Sequence, residues 1–295
     1  MAVDAVGNVF VADSQSGAVK EITYGNGNYG TTPIFVGAGL RSPRAAAVDR
    51  NGNVFVADSG NDAVKEILSN NGSYGAALVA VGSGFSSPSG VALDGSGNLF
   101  VADTNNNAVK EIVFSNGSYS TTPVVLGSGF SRPQGMAVDS NGNVFVADTN
   151  NGAIKEIVYT NGSYTSTPIT LASGFFQPMT VAVDSSDNVF MVDSPMMGAP
   201  TVKEIVYSNG SFSPTPLALA SGFSRVPGLA VDALGNVFAI DQYNDVVKEL
   251  VYSNGSYGTT PVTVGSGFNS PQYVAVDAQG RLYVGDNLNL QVLTP

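Results

Sequence analysis

The side chains in this sequence that could move a proton or hold an ion are almost all carboxylates. There are 23 aspartates and glutamates against 12 lysines and arginines, and no histidine or cysteine. The commonest general base, the commonest zinc ligand and the thiol nucleophile are therefore missing, and disulfides are excluded. Carboxylates alone can still work in two ways. A pair roughly 5 to 10 Å apart can divide acid and base duties in a hydrolysis, and several converging oxygens can bind calcium.

The acids follow a strict pattern. One set closes an Ala-Val-Asp or related triplet at Asp4, Asp49, Asp94, Asp139, Asp184, Asp232 and Asp277. A second set follows nine residues later at Asp13, Asp58, Asp103, Asp148, Asp193, Asp241 and Asp286. Only Asp62, Asp187 and Asp245 fall outside the pattern. Such regularity reads as scaffolding, with the aspartates accepting turn and loop N–H groups. Every lysine and glutamate also belongs to one motif: Lys20-Glu21, Lys65-Glu66, Lys110-Glu111, Lys155-Glu156, Lys203-Glu204 and Lys248-Glu249. Adjacent residues on a strand point to opposite faces. We therefore expect the lysine of one unit to meet the glutamate of its neighbour in a ladder, each exposed rung contributing about 0.2 to 1 kcal/mol. Six equivalent pairs on an outer strand share no pocket, which argues against catalysis there.

These residues are positioned by a repeat. The first aspartates recur every 45 residues, with a single interval of 48, the signature of a repeat array. Each copy reads as four short strands. The first precedes the first aspartate, the second is a Gly-Asn-Val-Phe-Val-Ala-Asp type of segment, the third carries Val-Lys-Glu-Ile, and the fourth follows Thr-Pro, as in Pro123 to Leu126. Asp-x-x-Gly-Asn, as in Asp139 to Asn143, predicts an Asx-type turn between the first two strands. It offers too few oxygens in too short a span for a calcium loop. Asn-Gly at Asn71, Asn116, Asn161, Asn209 and Asn254 predicts tight hairpins between the third and fourth strands. The Asn-Gly-Ser triplets also read as glycosylation acceptors, but turn chemistry accounts for them without a sugar. The inner strands are apolar on both faces, so each sheet must be covered on both sides. Blades stacked around an axis do this, and an open solenoid is the alternative.

The fourth copy reads Pro133-Gln134-Gly135-Met136-Ala137-Val138-Asp139, then Gly142-Asn143-Val144-Phe145-Val146-Ala147-Asp148-Thr149, then Asn151 and Ile154. This resembles the NHL repeat, and the resemblance extends over essentially the whole chain. It implies an all-β fold. Strand counting favours a seven-bladed β-propeller of four-stranded antiparallel blades in a single domain, residues 1 to 295, with the last blade lacking its outer strand. A six-bladed propeller with leftover strands is the alternative. The unfinished blade predicts an exposed edge near Gln291 to Leu293, open to strand addition or self-association.

The net charge of −11 repels phosphate backbones, so no nucleic acid partner is expected. No apolar run is long enough for membrane insertion as a helix. Met1-Ala2-Val3-Asp4 lacks the basic and apolar regions of an export signal, yet the composition suits a secreted or cell-surface bacterial protein. Lyases of the NHL-like group rely on histidine and a metal, and this chain has no histidine. We therefore expect no cofactor, no metal and no catalysis. The expected role is a non-enzymatic scaffold that recognises protein, peptide or glycan on the channel-entrance face. A structural subunit of a surface assembly or filament is the alternative, and a carboxylate- or metal-dependent lyase or hydrolase is less favoured. Five residues before the first aspartate the copies diverge, with Arg44, Gln134, Met179 and Gln272 among them, and Tyr273 follows the last. The only insertion adds Met196 and Met197. With Tyr243, these residues form the candidate binding set, because exposed methionines and aromatics make adaptable contacts.

Overall fold

A computed structural model describes residues 1–30, 32–286 and 290–293. It contains six four-stranded antiparallel sheets and a seventh of three strands, the blades of a seven-bladed β-propeller. In each complete sheet the strands lie side by side in chain order. The unfinished final blade is as the sequence predicts, and the six-bladed alternative is excluded. No α-helix occurs among the described residues, only four single 3-10 turns, at Ser59–Asn61, Thr104–Asn106, Thr149–Asn151 and Gln242–Asn244. The chain divides into two compact units, one comprising Met1–Val138 with Thr160–Thr167 and the other Asp139–Tyr159 with Pro168–Pro295.

The second blade shows how the motif makes a sheet. Its strands are Pro43–Val48, Val54–Asp58, Ala63–Asn70 and Ser73–Ala80. The first turn is closed by side chains. Asp49 Oδ1 accepts the N–H groups of Asn51 and Asn53 at 2.9 and 2.8 Å, and its Oδ2 accepts Asn53 Nδ2 at 2.9 Å. Asn53 Oδ1 in turn accepts the Ser69 N–H at 3.0 Å, which fastens the turn to the third strand. A carboxylate engaged on both oxygens in this way is a structural group, as the motif predicts. At the hairpin tip Asn71 and Gly72 both take positive φ, 50° and 77°, the geometry for which Asn-Gly is preferred. In the other complete blades this tip is a short separate hairpin, such as Phe114–Ser115 with Ser118–Tyr119.

Both faces of the second strand are buried, so the core lies between blades. In the first unit Phe10, Phe55 and Phe100 each meet a tyrosine of the following hairpin edge-on: Tyr74 at 5.5 Å, Tyr119 at 5.1 Å and Tyr164 at 5.7 Å. In the second unit Phe145 meets Phe212 at 5.9 Å and Phe190 meets Tyr257 at 6.2 Å. This geometry is favoured by the ring quadrupole and fixes the spacing of successive blades. Close approach is also built in by Gly90, where any Cβ would run into the Gln134 carbonyl.

The lysine–glutamate ladder is not formed. In five blades the lysine turns instead to the second aspartate of its own sheet, with Lys20–Asp13 at 2.7 Å, Lys110–Asp103 at 2.6 Å, Lys155–Asp148 at 2.7 Å, Lys203–Asp193 at 2.8 Å and Lys248–Asp241 at 2.7 Å. Several of these ammonium groups also lie over a phenylalanine ring, as Lys110 does over Phe85 at 5.2 Å. The strand pleat sends lysine and glutamate to opposite faces, and the nearest anion on the lysine's face is the aspartate across the strand pair.

Candidate functional site

With five of the six lysines engaged elsewhere, the six glutamates lie on the opposite face, and among the described residues none of them forms an ion pair. Each is buried in the sheet or nearly so, and each is pushed above the usual carboxylate range, first by burial and then by a first-turn aspartate. Glu21, Glu156 and Glu204 reach about 7.

Glu21 differs from the rest in one respect. It is 2% exposed, and among the described residues its Oε1 is the one buried side-chain oxygen or nitrogen without a hydrogen-bond partner. It stands on the third strand of the first blade, opposite Phe10. A cleft of about 160 Å³ lies between the turns of the first and second blades, lined by Asp4, Asp49, Arg50, Ser69 and Tyr74 among others, and Glu21 is not part of its lining. Two of these lining residues are coupled electrostatically to Glu21. Asp4 raises the Glu21 carboxyl, and Glu21 raises the Tyr74 phenol, after the larger effect of burial.

The lining groups have different duties. Asp4 Oδ1 accepts N–H groups from Val6, Gly7 and Asn8 at 3.0, 2.8 and 2.8 Å, and Oδ2 accepts Asn8 Nδ2 at 2.9 Å. It is fully used in shaping the turn. Tyr74 donates its hydroxyl to the Gly52 carbonyl at 2.9 Å, and its phenol is also hydrogen-bonded to the Ser69 side chain. Arg50 is exposed and brings the cleft a positive charge. A carboxyl with one unsatisfied oxygen, raised to about 7 by burial and then by Asp4, can accept and return a proton. The second aspartates do the opposite. At Asp241 burial alone would raise the carboxyl, but Lys248, Ser224 and Asn244 outweigh it and hold it at about 2, so it stays ionised and structural. No group of three acids able to hold a metal ion occurs among the described residues.

The candidate binding residues named from sequence occupy other places. In the first unit Arg44 is exposed on Pro43–Val48, and Gln134 is half-buried on Pro133–Val138. In the second unit Met179 precedes the strand Val181–Val183 and is exposed, while Met196 and Met197 are 78% and 92% exposed in the loop before Thr201–Ile205. Tyr243 is exposed in the turn Gln242–Asn244. Gln272 and Tyr273 are half-buried at the start of the last blade, where the Gln272 N–H donates to the Gly285 carbonyl at 2.9 Å. None of these lines the cleft. Sequence reading passed over Glu21 because its motif recurs six times and its burial depends on the hairpin of the next blade.

The sequence model of the NHL repeat matches residues 85–112 and 130–157. No curated protein matches in sequence. In structure the chain is similar to a streptogramin B lyase, with TM-score 0.75 and 11% identity over 99% of this chain and 91% of that one. It is also similar to the virginiamycin B lyase of Staphylococcus aureus, with TM-score 0.73 and 15% identity over 99% and 93%. A gluconolactonase of Xanthomonas campestris follows with TM-score 0.53 and 15% identity over 74% and 76%. At these identities the likeness is one of fold. It overturns the expectation of a non-enzymatic scaffold, because the propellers this chain resembles are enzymes. The expectation rested on missing imidazoles, whereas burial can raise a glutamate into the range where histidine ordinarily works.

Proposed function

This chain is an NHL-repeat β-propeller, and we propose that it works as a proton-transfer enzyme, a lyase or hydrolase that opens a small uncharged cyclic ester with Glu21 as general base. The observation that carries the reading is the buried Glu21 carboxyl with an unpartnered oxygen, coupled to Asp4 and Tyr74, which line the cleft that also holds Arg50. The ester class is supported by the gluconolactonase among the proteins of similar fold. The net charge of −11 disfavours anionic substrates. A space of about 160 Å³ suits a small ring better than a large ligand.

In a hydrolysis, the Glu21 carboxylate takes a proton from water as the water oxygen adds to the ester carbonyl carbon. Arg50 faces the negative charge that develops on the carbonyl oxygen. The tetrahedral intermediate then breaks its ring C–O bond, and Glu21 returns the proton to the departing alkoxide. In an elimination, the same carboxylate takes the proton from the carbon β to the leaving carboxylate as the C–O bond breaks.

The test is base uptake at constant pH with the purified protein and a set of small lactones. Turnover is expected to rise with pH along a limb near 7, and Glu21→Gln is expected to lower it by about 10² to 10⁴, the usual range for a general base. Absence of turnover above the buffer rate across the set, or a Glu21→Gln variant as fast as the parent, overturns the proposal.

A further inference from the structure

The cleft between the first two blades lies where the repeat omits a ring. The hairpin after the third strand opens on an aromatic residue in five copies, Tyr24, Phe114, Tyr159, Tyr207 and Tyr252, and on Ser69 in the second. All six positions are held alike. The main-chain N–H donates to Oδ1 of the first-turn asparagine, with Ser69 on Asn53 at 3.0 Å, Phe114 on Asn98 at 3.0 Å and Tyr252 on Asn236 at 2.9 Å, and Tyr24, Tyr159 and Tyr207 do the same. Ser69 therefore occupies the backbone place of the ring without supplying one.

The third blade shows what the ring fills. Phe114 lies over the first-turn glycine, so that a Cβ on Gly97 would come 3.4 Å from it, and it meets Tyr119 of its own hairpin at 4.8 Å and 46°. Tyr119 donates its hydroxyl to the Gly97 carbonyl at 3.1 Å. In the second unit Tyr252, Gly235 and Tyr257 repeat the arrangement, with the rings 5.0 Å apart at 51°. The second blade keeps everything but the first ring. Tyr74 donates to the Gly52 carbonyl at 2.9 Å, and Gly52 has φ of 83° against 90° at Gly97. Where the ring would lie, the Ser69 hydroxyl stands 3.1 Å from a Cβ placed on Gly52. Gly52, Ser69 and Tyr74 all line the cleft of about 160 Å³.

We propose that Ser69 opens this cleft and sets its specificity: the cleft takes one six-membered ring of a small uncharged ligand in the place that Phe114 fills in the third blade. The size agrees, since a cavity of roughly 150 Å³ accepts benzene. A ring seated there has the Gly52 backbone beneath it and Tyr74 beside it, in the tilted contact that Phe114 makes with Tyr119. Its polar substituents meet Arg50, which lines the same cleft and stands where the other copies carry alanine, glycine or serine. Two departures from the repeat, a lost ring and a gained guanidinium, thus converge on one cleft. As the substrate of the Glu21 reaction this ring is a six-membered lactone; that choice rests on the lactone-opening reading, whereas the ring site itself does not.

The experiment follows δ-valerolactone and p-cresol, which copies the tyrosine side chain, by ligand-detected NMR with the whole protein. Saturable binding of both is expected, retained in Ser69→Ala and weakened at least about tenfold in Ser69→Phe. The melting temperature of Ser69→Phe should equal or exceed that of the parent, because the substitution restores the repeat. Phe114→Ser should add a second site in the third blade. Binding that survives Ser69→Phe, or no saturable binding of either probe, overturns the proposal. Binding that Ser69→Phe removes, with no lactone turnover in the parent, supports the ring site and removes the Glu21 reading. Turnover that Ser69→Phe leaves unchanged overturns the ring site and leaves the Glu21 reading intact.

Discussion

Glu21→Gln should stabilise the protein at alkaline pH while changing it little in acid. The Glu21 carboxyl titrates at about 7 in the folded chain against a model value of 4.5. The folded state therefore holds the proton more tightly than the unfolded state. Its stabilising effect is complete below about 4.5, is lost as pH rises through about 7, and then stays constant. At 1.36 kcal/mol per pKa unit this amounts to about 3 kcal/mol between pH 4.5 and 7 or above. Glutamine keeps the shape of the protonated acid and cannot ionise. Urea unfolding followed by tyrosine fluorescence is the assay, since the chain has 12 tyrosines and no tryptophan. At pH 5 the variant should lie within about 1 kcal/mol of the parent, and at pH 8 it should be more stable by about 2 to 3 kcal/mol. Glu156 and Glu204 titrate in the same range, so both proteins lose stability as pH rises and only their difference isolates Glu21. Asp13, Asp241 and Asp277 are shifted downward, and their contribution is lost only as pH falls below the ordinary carboxylate range. Parallel pH profiles for variant and parent, or a variant less stable at pH 8, would refute the reasoning.

Two further substitutions test the scaffold. Lys110→Met should cost about 3 kcal/mol, because the Asp103 side chain is fully buried and loses its ammonium partner; Lys110→Met combined with Asp103→Asn should cost less than the single change, and equal or additive losses in denaturant midpoint would argue against a coupled pair. Gly90→Ala should lower the melting temperature markedly, since its Cβ meets the Gln134 backbone carbonyl, which cannot swing aside as a side chain can; an unchanged melting curve would contradict that close approach.

Blade number, the turns and the three-stranded last sheet could all be read in the chain because each is dictated locally. Asp49 closes its turn with neighbours two and four residues away, and Asn71-Gly72 sets the hairpin through its own backbone preference. Seven recurrences then determine how many sheets form. The fate of Lys20 and Glu21 was decided elsewhere. Adjacent in sequence, they face opposite sides of one strand, and only the assembled sheets show that Lys20 finds Asp13 at 2.7 Å while Glu21 is shut in beneath the next blade near Tyr74. Titration depends on the solvent and charge around an atom, and those come from residues some fifty positions away. A sequence lists the acids of this protein, but burial between blades selects which of them can exchange a proton at neutral pH.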